Sequence, residues 1–313
     1  MAPMKFLLAV FLLSASFLQA AWFVVGGGLK DEKVVATLSC EEHYREACSA
    51  LEKGNWEEAA KHLVIIRHNF PNSAYGSESA FFLGVCLFER EDYDLANELF
   101  SEYLATSQPK YFQQAIEYKF YMANAFRQGA YRRPFTSKQF PKILPGRNLA
   151  YRLYDEVVQS VPCHELAAES LWAKANMLWE DYLYRESVDT FQSLIRRFPK
   201  HELTPKAYLA INQVYGDEAE WEYQNPDLLQ LAEINTKKFE LAFPRDDRLQ
   251  EARDGVLALK ETYAKGLWDT GRFYEGQGYL VAAKLYYQNA LEQFAGTSVA
   301  ERCRNRILSL TDE

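Results

Sequence analysis

The sequence has 313 residues, 48% of them hydrophobic and 15% aromatic, with only 15 Gly and 11 Pro. This composition excludes a disordered, collagen-like or disulfide-dense chain, and it favours long helices joined by short turns. The formal net charge of −8 argues against nucleic-acid binding by the chain as a whole. Length alone suggests about two domains.

Residues 1–20 have the pattern of a secretory signal peptide. Lys5 precedes an uncharged apolar run that begins at Phe6, and small residues lead to Ala20. The run is shorter than the roughly 20 residues that a permanent membrane-spanning helix needs. We therefore expect cleavage near Ala20, a linker over 21–40 and export of the mature chain, with a retained membrane anchor as the alternative.

The cysteines suggest neither a disulfide framework nor an ordinary lipid anchor. Their number is odd, so at least one stays unpaired in a monomer. Cys40 lies beyond four charged residues, which disfavours lipid attachment there, and a bridge to Cys48 requires Cys40 to precede the first helix. Cys48 and Cys86 are expected to be buried thiols within helices. The full set is Cys40, Cys48, Cys86, Cys163 and Cys303.

Four segments of the chain share one pattern, with an interval of 37 residues between Trp56 and Tyr93. In each segment an aromatic residue is followed by a small residue three positions later and by a bulky residue four positions after that. This spacing places the small and bulky residues on one helical face, where a second helix can approach closely. The pairs are Ala59 with Leu63, Ala96 with Phe100, Ser187 with Phe191, and Ala282 with Tyr286. Nine residues before each aromatic, a small residue of the preceding helix is expected at the contact: Ala47, Gly84, Ala175 and Thr270.

This pattern resembles the tetratricopeptide repeat. It predicts an all-α fold, a tetratricopeptide-repeat-like α-solenoid of about six helix pairs over 41–310, with Ser298–Leu310 as a C-terminal capping helix. Insertions are expected near 131–145 and 216–226. Aromatic side chains should wedge between successive helices in the core. The predicted core aromatics are Phe81, Phe82, Phe88, Phe100, Trp172 and Trp179.

No motif in the sequence recommends an enzyme. The five histidines have no His or Cys partner at the spacing of metal ligands, so we expect them to be solvated or to cap helices. Phosphate-binding loops, serine-hydrolase elbows and zinc-protease motifs do not occur in the sequence. The prediction is a protein without catalytic residues, cofactor or bound metal.

A basic island is the candidate binding site. From Tyr118 through Tyr154 there is no Asp or Glu, yet there are eight Lys and Arg residues. Such an island could contact an acidic protein surface, an anionic lipid head group or a carboxylate. The alternative is a solvated loop whose neighbours in space supply the missing carboxylates. The predicted partner-binding residues of the island are Tyr131, Arg132, Arg133, Lys138, Lys142 and Arg147. Tyr75, Tyr118 and Tyr121 could instead line an inner groove and hold an extended peptide.

Three stretches, Phe70–Tyr75, Ala115–Ala123 and Phe273–Ala283, resemble the outer-membrane assembly lipoprotein family BamD, also called YfiO. The resemblance implies a scaffold in the periplasm, at the inner face of the outer membrane, with peripheral membrane association possible. Its C-terminal repeats would dock on the periplasmic domains of a BamA-like component, and its N-terminal repeats would receive unfolded outer-membrane proteins. The missing lipid-bearing Cys and an extra repeat are departures from the family. The alternative is a repeat adaptor for peptidoglycan-associated or secretion machinery.

Overall fold

The computed structural model describes residues 35–135, 140–221 and 225–310. The predicted signal peptide and most of the predicted linker lie outside these residues. The described residues form thirteen helices and one two-stranded ribbon, in two compact units that divide between Phe112 and Gln113. Within the same ranges, no helix combines the length and the apolarity that crossing a membrane requires.

The helices follow one another with short connections. In the first unit they are α1 (Cys40–Glu52), α2 (Trp56–Asn69), α3 (Ala74–Glu89) and α4 (Tyr93–Leu104). Next come α5 (Phe112–Arg127), the strands β1 (Tyr131–Arg132) and β2 (Leu144–Pro145), and the helices α6 (Arg147–Ser160), α7 (Glu165–Glu180) and α8 (Tyr184–Arg197). The remaining helices are α9 (Leu203–Trp221), α10 (Pro226–Ala242), α11 (Leu249–Gly276), α12 (Leu280–Gln293) and α13 (Ser298–Ser309).

Consecutive helices pack on one another within each unit, from α1 to α4 and from α6 to α13. The α5 and α6 helices are joined by a hydrogen bond of 2.6 Å from the Tyr154 hydroxyl to Oδ1 of Asn124. The last helix, α13, contacts both α11 and α12, as a capping helix does. The described helices therefore form six pairs followed by a final helix, and the predicted all-α fold of tetratricopeptide type is confirmed.

The turn inside a pair has the same backbone geometry in four of the pairs. One residue takes a positive φ, and the residue after it donates its N–H to a carbonyl five positions earlier. This is the left-handed residue that commonly ends a helix, and glycine adopts it with least strain. The four residues are Gly54, Glu91, Tyr182 and Gly278, with φ of 68°, 59°, 60° and 81°.

This turn corrects the predicted register of the last repeat. In the other three pairs, the small buried residue stands five positions after the left-handed residue. The same interval after Gly278 leads to Ala283. Ala283 and Tyr287 are fully buried, whereas the predicted Ala282 and Tyr286 are only partly buried. The prediction was wrong by one residue because it aligned on the aromatic side chain of Tyr279, which stands at the N-cap of α12.

The small residue of the preceding helix shifts by the same step. Gly271, and not the predicted Thr270, meets the bulky residue of α12. The other three predicted small residues, Ala47, Gly84 and Ala175, are buried.

The predicted core aromatics are buried to different degrees. Phe81 and Phe100 are almost completely buried, and their rings lie 5.8 Å apart. Phe82 and Phe88 are only partly buried, and so are Trp172 and Trp179, which pack against the core of the second unit. The indole nitrogen of Trp179 donates to Oδ2 of Asp217 at 2.8 Å, so this side chain needs a position near the surface.

Candidate protein-interaction surface

A short β-ribbon projects between α5 and α6. Tyr131 of β1 stands opposite Pro145 of β2, and the two strands run antiparallel. The base of the ribbon is closed by a hydrogen bond of 3.1 Å from the N–H of Gly146 to the carbonyl of Ala130. A side chain at Gly146 would overlap the ring of Phe126, so glycine allows the ribbon to return directly onto α5.

The ribbon carries four exposed apolar side chains. Tyr131, Phe135, Phe140 and Ile143 are exposed to 57%, 64%, 41% and 58%. The rings of Phe135 and Phe140 contact each other, with their centroids 5.1 Å apart. We call these four residues the ribbon patch. Clustered exposed apolar side chains of this kind are typical of interaction sites.

Three cations of the predicted island are paired with carboxylates from neighbouring helices. Lys119 lies 2.6 Å from Glu156, and Arg127 lies 2.9 Å from Glu180. Arg147 lies 2.7 Å from Asp181. The island is therefore partly neutralised in space, as the alternative interpretation of the sequence proposed.

Arg147 is the centre of this network. Its Nε donates to both oxygens of Asp181, at 2.7 and 2.8 Å, and its Nη2 donates to Glu180 at 3.0 Å. The hydroxyl of Tyr151 donates to the same Asp181 at 2.6 Å. Burial alone would raise the pKa of Asp181, but the hydrogen bonds from Arg147 and Tyr151 outweigh it and lower that pKa. The hydrogen bonds that Arg147 donates to Asp181 raise the pKa of Arg147, so both side chains stay ionised at neutral pH. The ion pair joins α6 to the end of α7 beside the ribbon.

Three further predicted partner-binding cations, Arg132, Arg133 and Lys142, lie on or beside the strands of the ribbon. Arg133 is only 9% exposed, and Arg132 is partly buried with its Nη1 3.5 Å from the carbonyl oxygen of Arg133. Lys142 is partly buried, while Lys138 lies outside the described residues. The accessible part of the ribbon is therefore mainly apolar, and the sequence interpretation gave too little weight to its aromatic and aliphatic residues.

The three predicted groove tyrosines lie in different units. Tyr75, in the first unit, is partly buried and stacks on Tyr44 with ring centroids 4.4 Å apart. Tyr118 and Tyr121 are on α5 in the second unit, where Tyr118 is partly buried and Tyr121 is 51% exposed. Tyr121 is thus the accessible one of the three.

One pair of histidines departs from the sequence prediction. His43 is 1% exposed, so the predicted solvated or capping role is wrong for this residue. Its Nδ1 lies 2.9 Å from Nδ1 of His62, and its Nε2 accepts a hydrogen bond of 3.3 Å from the N–H of Leu38. Because Nε2 of His43 accepts, the ring proton of His43 is on Nδ1 and is donated to Nδ1 of His62. The ring proton of His62 is then on Nε2, which lies 3.7 Å from Oε1 of Glu58. Burial, followed by the charge of His62, lowers the pKa of His43.

The structure describes no group of three His, Cys, Asp or Glu side chains, within its three residue ranges, that could hold a metal ion. All five cysteines, which lie in those ranges, are free thiols. Cys40 is the first residue of α1, so the condition for a bridge to Cys48 is not met. Burial raises the pKa of the Cys86 thiol to about 12, so it is protonated and unreactive at neutral pH.

A second apolar surface, at the start of α12, was missed by the sequence interpretation. Tyr279, Val281 and Leu285 are exposed to 65%, 87% and 56%, and they line an open cavity of about 770 Å³. The sequence of α12 has apolar residues on both faces of the helix, and this pattern could have predicted the exposed surface. The repeat motif accounts only for the buried face.

Comparison with known proteins places the chain in a family. The sequence model of the family described as YfiO, outer membrane lipoprotein, matches residues 37–227, which is more than half of the chain. No curated protein sequence matches.

The solved structures that resemble the chain are distant. A tetratricopeptide repeat protein from Parabacteroides merdae is 13% identical, with a TM-score of 0.38 over 88% of this chain and 99% of its own. A mutant of MamA is 17% identical, with a TM-score of 0.35 over 67% of this chain and 96% of its own. The family match over 37–227 identifies the chain as a member of the YfiO family of outer-membrane lipoproteins.

Proposed function

We propose that this protein is a non-enzymatic periplasmic scaffold that binds envelope proteins during the assembly of outer-membrane β-barrels. Its proposed partners are a BamA-like assembly component and unfolded outer-membrane proteins. Membership of a family described as outer membrane lipoproteins supports an envelope location, and the helix pairs supply an interaction framework.

The ribbon patch is the observation that carries the proposal. Its four apolar side chains stand on an insertion between two helices, while three cations of the island are paired with Glu156, Glu180 and Asp181. Insertions in stacked helix pairs are where repeat proteins often place their specificity. Aromatic side chains on a fixed support lose little conformational entropy on binding, and they frequently dominate interface energies.

The remaining predicted site residues have subsidiary places in this proposal. Tyr121 and Tyr118 lie on α5, the helix that leads into the ribbon, and would extend the contact of the ribbon patch. Tyr75 would hold an extended peptide on the first unit. Arg132, Lys138 and Lys142 would complement acidic groups of the partner, whereas Arg133 is almost completely buried and would contribute less. Arg147 would support the ribbon through Asp181.

Site-specific crosslinking in the cell envelope tests the proposal. A photo-crosslinking amino acid at Tyr131 or at Ile143 should form an adduct with a BamA-like component or an unfolded outer-membrane protein, identified by mass spectrometry. The same amino acid at Tyr182, which is 70% exposed on a turn between helices, is the matched control. Adducts only with peptidoglycan-associated or secretion proteins would favour the alternative adaptor function, and the absence of ribbon-specific adducts would contradict the binding role.

A further inference from the structure

A groove in the second unit has the features of a separate binding site. It is an indentation of about 220 Å³ between α8, α9 and α10. Tyr208 and Tyr215 of α9 line it together with Leu231 and Ile234 of α10. We call it the α8–α10 groove.

The sequence of α10 makes one wall of this groove apolar and accessible. Leu231 and Ile234 line the groove, and Leu241 continues the same face at helical spacing beyond it. This face turns away from the core residues Leu228 and Phe239. Its three residues are exposed to 43%, 42% and 81%, whereas Leu228 and Phe239 are buried. A helix that needed only to pack on α9 and α11 would not require apolar residues on this second face.

The groove is held in a fixed shape by a buried polar network. Asn235 donates from Nδ2 to the carbonyl of Tyr208 and to Oδ1 of Asn212, both at 2.8 Å. Asn212 in turn donates to Oγ1 of Thr236 at 2.7 Å. The ring of Tyr208 stacks on Phe239, with centroids 5.2 Å apart and an interplanar angle of 9°. A side chain entering the groove would therefore meet a preorganised surface.

The charged side chains that line the groove are cationic. Within the described ranges they are Arg196 of α8 and Lys238 of α10. Neither cation forms an ion pair within the described ranges, whereas the nearby Lys260 is 2.7 Å from Glu233 and Arg253 is 2.8 Å from Glu240. Two cations without carboxylate partners beside an apolar surface complement a ligand that is apolar in the middle and acidic at its edges.

We propose that the α8–α10 groove binds a short acidic and apolar segment of a protein partner. One apolar side chain of that segment would enter the groove over Tyr208 and Tyr215, and its carboxylates would pair with Arg196 and Lys238. The volume of about 220 Å³ suits a single side chain, because sites for free small molecules usually measure about 300–1,000 Å³.

A protein segment fits these observations better than an anionic bilayer does. The net charge of −8 repels an anionic membrane at long range, and a concave site receives an inserted side chain more readily than a flat surface. The α10 wall also lies almost entirely beyond residues 37–227, where the YfiO match ends. The groove is thus a second site, independent of the ribbon patch and of the function proposed for it.

Peptide selection tests this inference. A library of random peptides displayed on phage is selected against the full chain and, in parallel, against the variant that carries both Arg196→Glu and Lys238→Glu. Sequences recovered only by the unaltered chain should contain an apolar residue flanked by Asp or Glu. A synthetic peptide of that kind should lose about tenfold in affinity with either single reversal. The Lys237→Glu variant is the control, since Lys237 is exposed on the same helix and does not line the groove.

Three results would overturn the inference. They are recovery of the same sequences by both proteins, a loss of affinity in Lys237→Glu equal to that in Lys238→Glu, and recovery of chain-specific peptides without acidic residues. Sedimentation with anionic phospholipid vesicles is a separate arm of the experiment. Vesicle binding that requires Arg196 and Lys238 would assign the groove to a lipid instead of a protein.

Discussion

Gly271 of α11 lies directly against the ring of Tyr287 of α12. A Cβ at position 271 would stand 2.8 Å from Cδ1 of Tyr287 and closer still to Cε1. Gly84 has the same relationship with Phe100, the residue sixteen positions later, at 3.0 Å. The two helices of a pair thus approach at one small residue, and the bulky partner fills the space beside it.

The Gly271→Ala variant should be less stable by about 1–3 kcal/mol, because the added methyl group overpacks a fully buried contact. Tyr287 cannot readily move, since its hydroxyl donates to Glu275 at 2.7 Å and Glu275 pairs with Arg306 at 2.6 Å. The Gly84→Ala variant is the comparison, where a looser contact and the higher helix propensity of Ala should leave stability nearly unchanged. Urea unfolding measures both variants, and equal destabilisation would contradict the packing argument.

Replacing Tyr182 by Gly should stabilise the protein by up to about 1 kcal/mol, because Tyr182 holds a φ of 60° that costs an ordinary side chain about 1–2 kcal/mol. The reciprocal Gly278→Ala change should destabilise it by a similar amount, since Gly278 has a φ of 81° with open space around it. Thermal and urea unfolding of the two variants should move in opposite directions. A shift of both variants in one direction would argue against the left-handed turn.

Asp181→Asn should lower the free energy of unfolding at neutral pH by about 1–2 kcal/mol, because Arg147 and Tyr151 lose a charged acceptor. The folded-state pKa of Asp181 lies below its usual value, so its contribution is present above about pH 4 and is lost as the pH falls through that lowered pKa. The difference between the two proteins should therefore shrink on acidification. Urea unfolding at a series of pH values measures it, and a pH-independent difference would refute the electrostatic account.

Protonation of His43 should destabilise the first unit. Since the pKa of His43 is lowered in the folded state, its contribution is complete above the unfolded value of about 6.5 and declines as the pH falls below it. His43→Gln should reduce the pH dependence of stability between about pH 5 and 7. His68→Gln is the control because His68 is exposed on the same helix as His62. A similar pH dependence in all three proteins would contradict the role of the pair.

The sequence determined the fold well because its signals are local. The 37-residue interval and the fixed spacing of the aromatic, small and bulky residues each report on one pair of neighbouring helices. The register of the last repeat was wrong because Tyr279 resembles the repeat aromatic. Only the φ of Gly278 fixes where α12 begins.

The site was harder to predict because it depends on contacts between distant residues. Nothing local to Arg147 reveals that Asp181, the C-cap residue of α7, will neutralise it. The pairing of His43 with His62 likewise joins two helices and is invisible to spacing rules. The burial of Arg133, which is 9% exposed, is equally hidden from the sequence, and reversing its charge would disturb folding.

The affinity of the full chain for the periplasmic domains of a BamA-like component tests the central claim most directly. We predict that the double variant Tyr131→Ser with Ile143→Ser binds at least about tenfold more weakly with an unchanged melting temperature, because both side chains are more than half exposed. Tyr182→Ser, which removes a ring that is 70% exposed away from the ribbon, should bind as the unaltered chain does. Full affinity in the double variant would contradict the assignment of the ribbon patch as the partner-binding surface.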